Sequence, residues 1–188
     1  MGGWVDFNVH RLFFISLCSF ILLIAKLEAE VIYDFKKNKY IGDWQIINDG
    51  VMGGLSSGQL RIDENGNGLF YGFVSLDNYG GFTSVRLRKK VFLKNYNKII
   101  IRVFGDNKFY QLRLKSEYGD RHVYVKHFYA ENKWQEIDIS LASMKPQFRG
   151  RNLNMNNFNS NSIVEIGILI GNKAEEKFTL KIDYLSLK

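Results

Sequence analysis

From Val31 onward the chain is written in short stretches of period-two alternation, each cut off by Gly, Asn or Asp. No other feature narrows its fold as far. Eleven stretches qualify as strands: 31–35, 44–47, 58–63, 68–75, 81–88, 98–104, 108–115, 121–129, 133–139, 163–170 and 177–187. Strands at this spacing, with turn signals between them, predict an all-β sandwich or barrel. The 15 Phe and 10 Tyr fit sheets, where flat rings pack well against neighbours. Beyond residue 30 no helical stripe is visible, and 140–145 suits a single turn. The one proline, Pro146, sits in a long connection over 140–162, whose Asn-rich part, Asn152 to Ser162, reads as a surface loop. Neither a repeat nor an interdomain linker divides the sequence, so 30–188 reads as one domain.

The uncharged run at 12–25, LFFISLCSFILLIA, stands apart. A membrane-spanning helix needs about 20 apolar residues, so a run this short fits the apolar region of a secretory signal better. Residues 1–29 are read as that signal, with cleavage after Ala29. An N-terminal membrane anchor is the alternative. The expected location is therefore periplasmic or extracellular, or tethered to the membrane through 12–25. Cleavage would remove two bases and two acids, leaving the net charge at +7, and would remove Cys18, the only cysteine. The remaining domain would have no disulfide, thiol nucleophile or Cys-based metal site. The basic residues are dispersed and form no recognised nucleic-acid module, so nucleic acid is not an expected partner.

Alternation also assigns faces. One parity places Arg86, Arg88, Arg102, Gln111, Arg113, Lys115, Tyr124 and Lys126 opposite apolar sets such as Val85 and Leu87, or Ile99, Ile101 and Val103. If these strands share one sheet, the polar set forms a basic stripe with aromatic interruptions. That stripe suits an acidic glycan or an acidic protein patch, or is simply a solvated face.

Catalytic patterns dissolve on inspection. Gly54-Leu55-Ser56-Ser57-Gly58 matches G-x-S-x-G, yet a nucleophile elbow needs a helix after the serine, and Gln59 to Asp63 alternates like a strand. Ser56 is read as a turn hydroxyl. Asp63-Glu64-Asn65-Gly66-Asn67-Gly68 opens like a calcium loop, but Val74 stands where the bidentate acid belongs, so a hairpin turn is the better reading. His122 and His127 are an odd number of residues apart and fall on opposite faces of one strand. Asp49, Asp106 and Asp120 sit beside Gly or Asn, as turn residues do. Trp44 and Trp134 suit core or rim packing, with sugar stacking as the alternative.

One stretch draws the rest together: Trp44, then Asn48-Asp49-Gly50-Val51-Met52-Gly53-Gly54-Leu55-Ser56. It resembles the opening signature of the complex I intermediate-associated protein 30 family. Further blocks follow in order. They are Phe70 to Leu76, Asn78 to Arg86, Arg102 to Asp106 with Tyr110, Pro146 to Gly150, Ile166-Gly167, and Phe178 to Asp183. Tyr124, Phe128 and Trp134 sit where that family has aromatics. The resemblance implies a galactose-binding-like jelly-roll sandwich. It also implies a non-catalytic, chaperone-like role, since eukaryotic members assist assembly of respiratory complex I. The expected partner is then a protein, met by a loop surface of Asn48, Asp49, Met52, Gly53, Gly54, Gly80, Gly81 and Arg149. The alternative is an exported carbohydrate-binding module with Arg86, Gln111, Arg113, Tyr124 and Trp134 lining a sheet face. No cofactor, metal ligand or catalytic residue is expected under either reading.

Overall fold

The structure is a computed structural model and describes residues 29–188. The signal or anchor expected at 1–29 lies outside the described residues, apart from Ala29. Thirteen strands follow in order: β1 (Glu30–Asp34), β2 (Trp44–Asn48), β3 (Ser57–Ile62), β4 (Gly68–Val74), β5 (Thr83–Phe92), β6 (Lys98–Phe104), β7 (Lys108–Lys115), β8 (Val123–Ala130), β9 (Trp134–Ser140), β10 (Lys145–Phe148), β11 (Arg151–Asn152), β12 (Ser162–Ile170) and β13 (Glu176–Leu187). Among the described residues the only helical elements are three short 3-10 turns.

The strands form two antiparallel sheets. One has the order β3-β4-β13-β6-β9. On the side of β13 opposite β6, β4 pairs with its first half and β1 with its second. The other sheet runs β11-β10-β8-β7-β12-β5-β2. The two are packed over one apolar core, as amphipathic strands require. The alternation of β5, β6 and β7 is resolved as expected, with Val85, Leu87, Ile99, Ile101, Val103, Tyr110, Leu112 and Leu114 all inside. The core-facing parity of the central strands is apolar. In β12, Ile166 and Ile168 face the core, while Val164 and Leu169 are also buried.

Aromatic contacts hold the layers together. Within one sheet Phe70 of β4 meets Phe178 of β13 edge-on at 4.7 Å, and the contact between sheets is made by Trp44. Trp44 at the start of β2 stacks on Phe35 at 5.4 Å and meets Tyr33 edge-on at 5.4 Å. Trp44 is therefore a core residue that ties an edge strand of one sheet to the first strand of the other. Full burial of a side chain like Phe35 contributes about 2 kcal/mol or more.

One stretch departs from expectation. The connection 140–162 is partly strand: Lys145–Phe148 pairs with β8, and Arg151–Asn152 turns back onto it. A proline inside such a run argues against a central strand, and β10 is indeed next to the sheet edge, with Pro146 opposite Tyr124.

Candidate functional site

The Asn48–Ser56 segment closes one end of the sandwich, and Asp49 is its centre. Its side chain is wholly buried. Oδ1 accepts from the Ser56 N–H at 3.0 Å, and Oδ2 from the N–H groups of Gly81 at 2.7 Å and Phe82 at 3.2 Å. The Ser56 hydroxyl also donates to Oδ2, and accepts in turn from the Ser75 N–H at 3.0 Å. One carboxylate thus joins the end of β2 and the start of β5, in one sheet, to the start of β3 and the end of β4, in the other. Burial alone would raise its pKa. The bonds from Ser56, Gly81 and Phe82 outweigh burial and hold it below the ordinary carboxylate value.

Asn48 adds a second tie beside it. Its Oδ1 accepts from the Gly58 N–H at 3.1 Å and from the Thr83 hydroxyl. The glycines make the approach possible. A Cβ on Gly54 would stand 2.4 Å from the Asp49 carboxyl carbon, and one on Gly80 2.7 Å from Asp49 Oδ2. Ser56 has no free hydroxyl for chemistry, as its reading as a turn residue requires.

Of the expected contact surface, Asp49 is buried and so is not itself exposed, while Asn48, Gly54 and Gly80 are part-buried and pack around it. Gly53 and Gly81 remain on the rim, at left-handed φ values of 88° and 134°. The side chain of Met52 lies outside the described residues. Arg149 is elsewhere. It sits in the β10–β11 turn over the Phe148 ring at 5.5 Å, across the sheet from β5 and about 19 Å away at the ordinary strand spacing. The rim exposes Leu55 at 59%, inside the stretch the sequence singled out, and two residues that sequence reading did not place on the contact surface, Leu76 at 42% and Tyr79 at 94%. Asn78 and Tyr79 both have positive φ, 54° and 62°. Non-glycine residues pay for that conformation, and it recurs where a loop must present a side chain.

The expected ligand face is divided. Arg86, Gln111 and Arg113 share the outer face of the seven-stranded sheet, because Arg86 and Arg113 both sit opposite Gly167 of β12. Tyr124 is on the other side of that sheet, opposite the buried Leu114, with its ring edge-on to Phe158 at 5.1 Å. Lys126, two residues on, shares that inner parity. Trp134 and Arg102 belong to the other sheet altogether, where Arg102 lies over the Trp134 ring at 5.2 Å. Arg102 also pairs with the buried Asp183 at 2.6 Å.

The arginine face contains residues that alternation alone did not single out. Glu165 is buried, bonded to Arg88 Nε at 3.2 Å and 3.9 Å from Arg86 Nη1. His127 is opposite Gln111, and Tyr129 opposite Phe109. Burial, then the charges of Arg113 and Lys126, lower the His127 pKa below its ordinary value. Burial, then the Arg86 charge, bring Arg113 down to about 10 against the pull of Glu165, which leaves it protonated at neutral pH. The other candidates are turns. Asp63 Oδ1 accepts from the N–H groups of Asn65 at 2.9 Å and Asn67 at 2.8 Å, and Val74 is buried in the core. Among the described residues, no group of three His, Cys, Asp or Glu side chains is placed to hold a metal ion.

This architecture has known counterparts. The family 11 carbohydrate-binding module of cellulosomal cellulase Lic26A-Cel5E of Clostridium thermocellum superposes with a TM-score of 0.65 at 15% identity, covering 85% of this chain and 94% of that one. The same type of module in complex with a β-1,3-1,4-mixed-linked tetrasaccharide gives 0.62, also at 15% identity and with the same coverage. Likeness at that identity speaks for the fold alone. In sequence, the chain is 25% identical over 194 aligned residues to "Complex I intermediate-associated protein 30, mitochondrial" of Drosophila melanogaster. That alignment takes in 89% of this chain and 66% of the relative, so the chain spans just under two thirds of its length. The profile of the Complex I intermediate-associated protein 30 family matches residues 33–182, nearly the whole described domain, and the chain belongs to that family.

Proposed function

We propose that this domain works without a catalytic step and holds a protein partner, in the manner of an assembly factor, through the rim that Asp49 knits together. One observation carries the reading: Leu55, Leu76 and Tyr79 stand exposed on turns that are themselves tied down by buried hydrogen bonds. Apolar side chains offered to solvent on a rigid base can bind without first paying to order a loop. Family membership supports a protein as the partner. The apolar run at 12–25 supports export, so that the partner is met outside the cytoplasm. Mass spectrometry of the native N-terminus tests that part, and an uncut cytoplasmic chain would reject it.

A photo-crosslinking residue at position 79, compared with one at Lys94, tests the surface in the native host. The expected result is a discrete protein adduct from position 79 that disappears when Leu55→Asp is added. Identical adducts from both positions, or adducts indifferent to Leu55→Asp, would reject the rim. The carbohydrate-binding alternative is favoured by a different observation, on the other face of the molecule.

A further inference from the structure

The outer face of the seven-stranded sheet carries chemistry that the rim does not use. Along β7 it presents Phe109, Gln111 and Arg113, with Tyr129 and His127 beside the first two on β8. Phe109 and Tyr129 are 55% and 42% exposed, and their rings meet edge-on at 5.1 Å. From Phe109 to Arg113 the strand advances about 14 Å, more than one sugar ring.

The charges on this face are unevenly compensated. Glu165 lies between Arg86 and Arg88 and offsets both. Arg113 is different. Among the described residues no carboxylate lies within ion-pairing distance of it, and its guanidinium reaches only Gln111 Oε1, at a long 3.5 Å. A half-buried guanidinium without an anion is costly, and its planar fork fits one carboxylate with two parallel bonds. Gly167 keeps the ground between the arginines open. Even a Cβ there would stand 3.5 Å from Arg86 Cγ and 3.7 Å from Arg113 Cβ.

We propose that this face binds an acidic polysaccharide, a chain of hexuronate units, with Arg113 taking a ring carboxylate and the Phe109–Tyr129 pair stacking on a neighbouring ring. The neutral groups decide for a glycan over an acidic peptide. Gln111 and an uncharged His127 each donate and accept, which suits vicinal hydroxyls. A clamp for a polyanionic peptide would gain nothing from them. Aromatic faces complete the set, since they match the C–H faces of pyranose rings.

Calorimetric titration of the full-length chain with a hexuronate hexasaccharide tests this, alongside the same oligosaccharide with its carboxyls reduced and poly-glutamate of similar length. The expected result is saturable uronide binding that weakens at least about tenfold on carboxyl reduction, and as much in Arg113→Gln, the loss of one charge-assisted pair. Phe109→Ala, an exposed change that spares the fold, should weaken the uronide and the reduced chain alike. The proposal is overturned by no uronide binding at millimolar concentration, by equal affinity for the reduced chain, by poly-glutamate binding as tightly as the uronide, or by an unaltered affinity in Phe109→Ala. The rim reading stands or falls separately, because Leu55 and Tyr79 are not on this face.

Discussion

Replacing Asp49 by alanine removes the acceptor for three backbone N–H groups at once. Bonds to a charged acceptor contribute about 1.5–3 kcal/mol each, and a buried donor left alone forfeits its hydration as well. The three are not equal. The Ser56 N–H is buried and has no recourse to water, whereas Gly81 and Phe82 are partly exposed and can recover some of the loss. Counting the first in full and the others in part gives about 4 kcal/mol. Asp49→Asn keeps one oxygen, so its amide faces a donor at only one of the two positions, and about 2 kcal/mol is expected. For a chain of this size 1 kcal/mol moves Tm by about 2–4 °C, so Asp49→Ala should melt about 8–16 °C lower. Urea unfolding followed by tryptophan fluorescence measures the free energy directly. There is also a pH signature. The folded carboxyl titrates below its unfolded value of about 3.9, so its contribution is complete above that value and is lost as pH falls through the folded one. Asp49→Asn should lack that acid limb. A loss below about 1 kcal/mol in Asp49→Ala, with an unchanged urea dependence, would refute the view that this carboxylate ties the two sheets.

Three further outcomes follow from the geometry. Gly54→Ala should cost about 2 kcal/mol or more, read by the same urea titration, because its Cβ would stand 2.4 Å from the Asp49 carboxyl carbon. His127 should titrate below the usual imidazole value of about 6.5 in an NMR pH series, and Arg113→Gln should move it back up by removing one of the charges that oppose its protonation. Tyr79→Asp, at a residue 94% exposed, should change stability by less than about 0.5 kcal/mol while abolishing partner capture, which separates a contact role from a folding role.

Local pattern and long-range pairing divide what could be read from the residues. The alternation of β5, β6 and β7 is clean, and the inward residues follow from it. In β8 both parities mix polar and apolar side chains. Only the register, with Phe128 opposite Tyr110 and Tyr124 opposite Leu114, shows which set faces the core. That is why Tyr124 joins the inside and His127 the outside. Arg102 looked like a member of the basic stripe, and Trp134 of the ligand face, because sheet membership depends on which strands pair, and alternation carries no such information. β10 was hidden by Pro146 and by the lack of an apolar period. The Asn-Asp-Gly turn was legible as a turn. Its purpose was not, since the donors to Asp49 at Gly81 and Phe82 come from more than thirty residues away. Nothing local distinguishes Arg113 from Arg86 either. The difference lies in Glu165, far along the chain, which comes within 3.9 Å of Arg86 and acts on Arg113 only from farther off.

The position of the last two long strands governs when this protein can exist at all. β12 lies between β7 and β5, and β13 joins β6 to β4 and β1. On a ribosome, everything up to Asn161 can therefore form only hairpins and part-sheets with unpaired margins. Each awaits a keystone that follows the other eleven strands in chain order. Non-local closure of that kind is slow, and it leaves the earlier strands with open edges until β12 and β13 arrive.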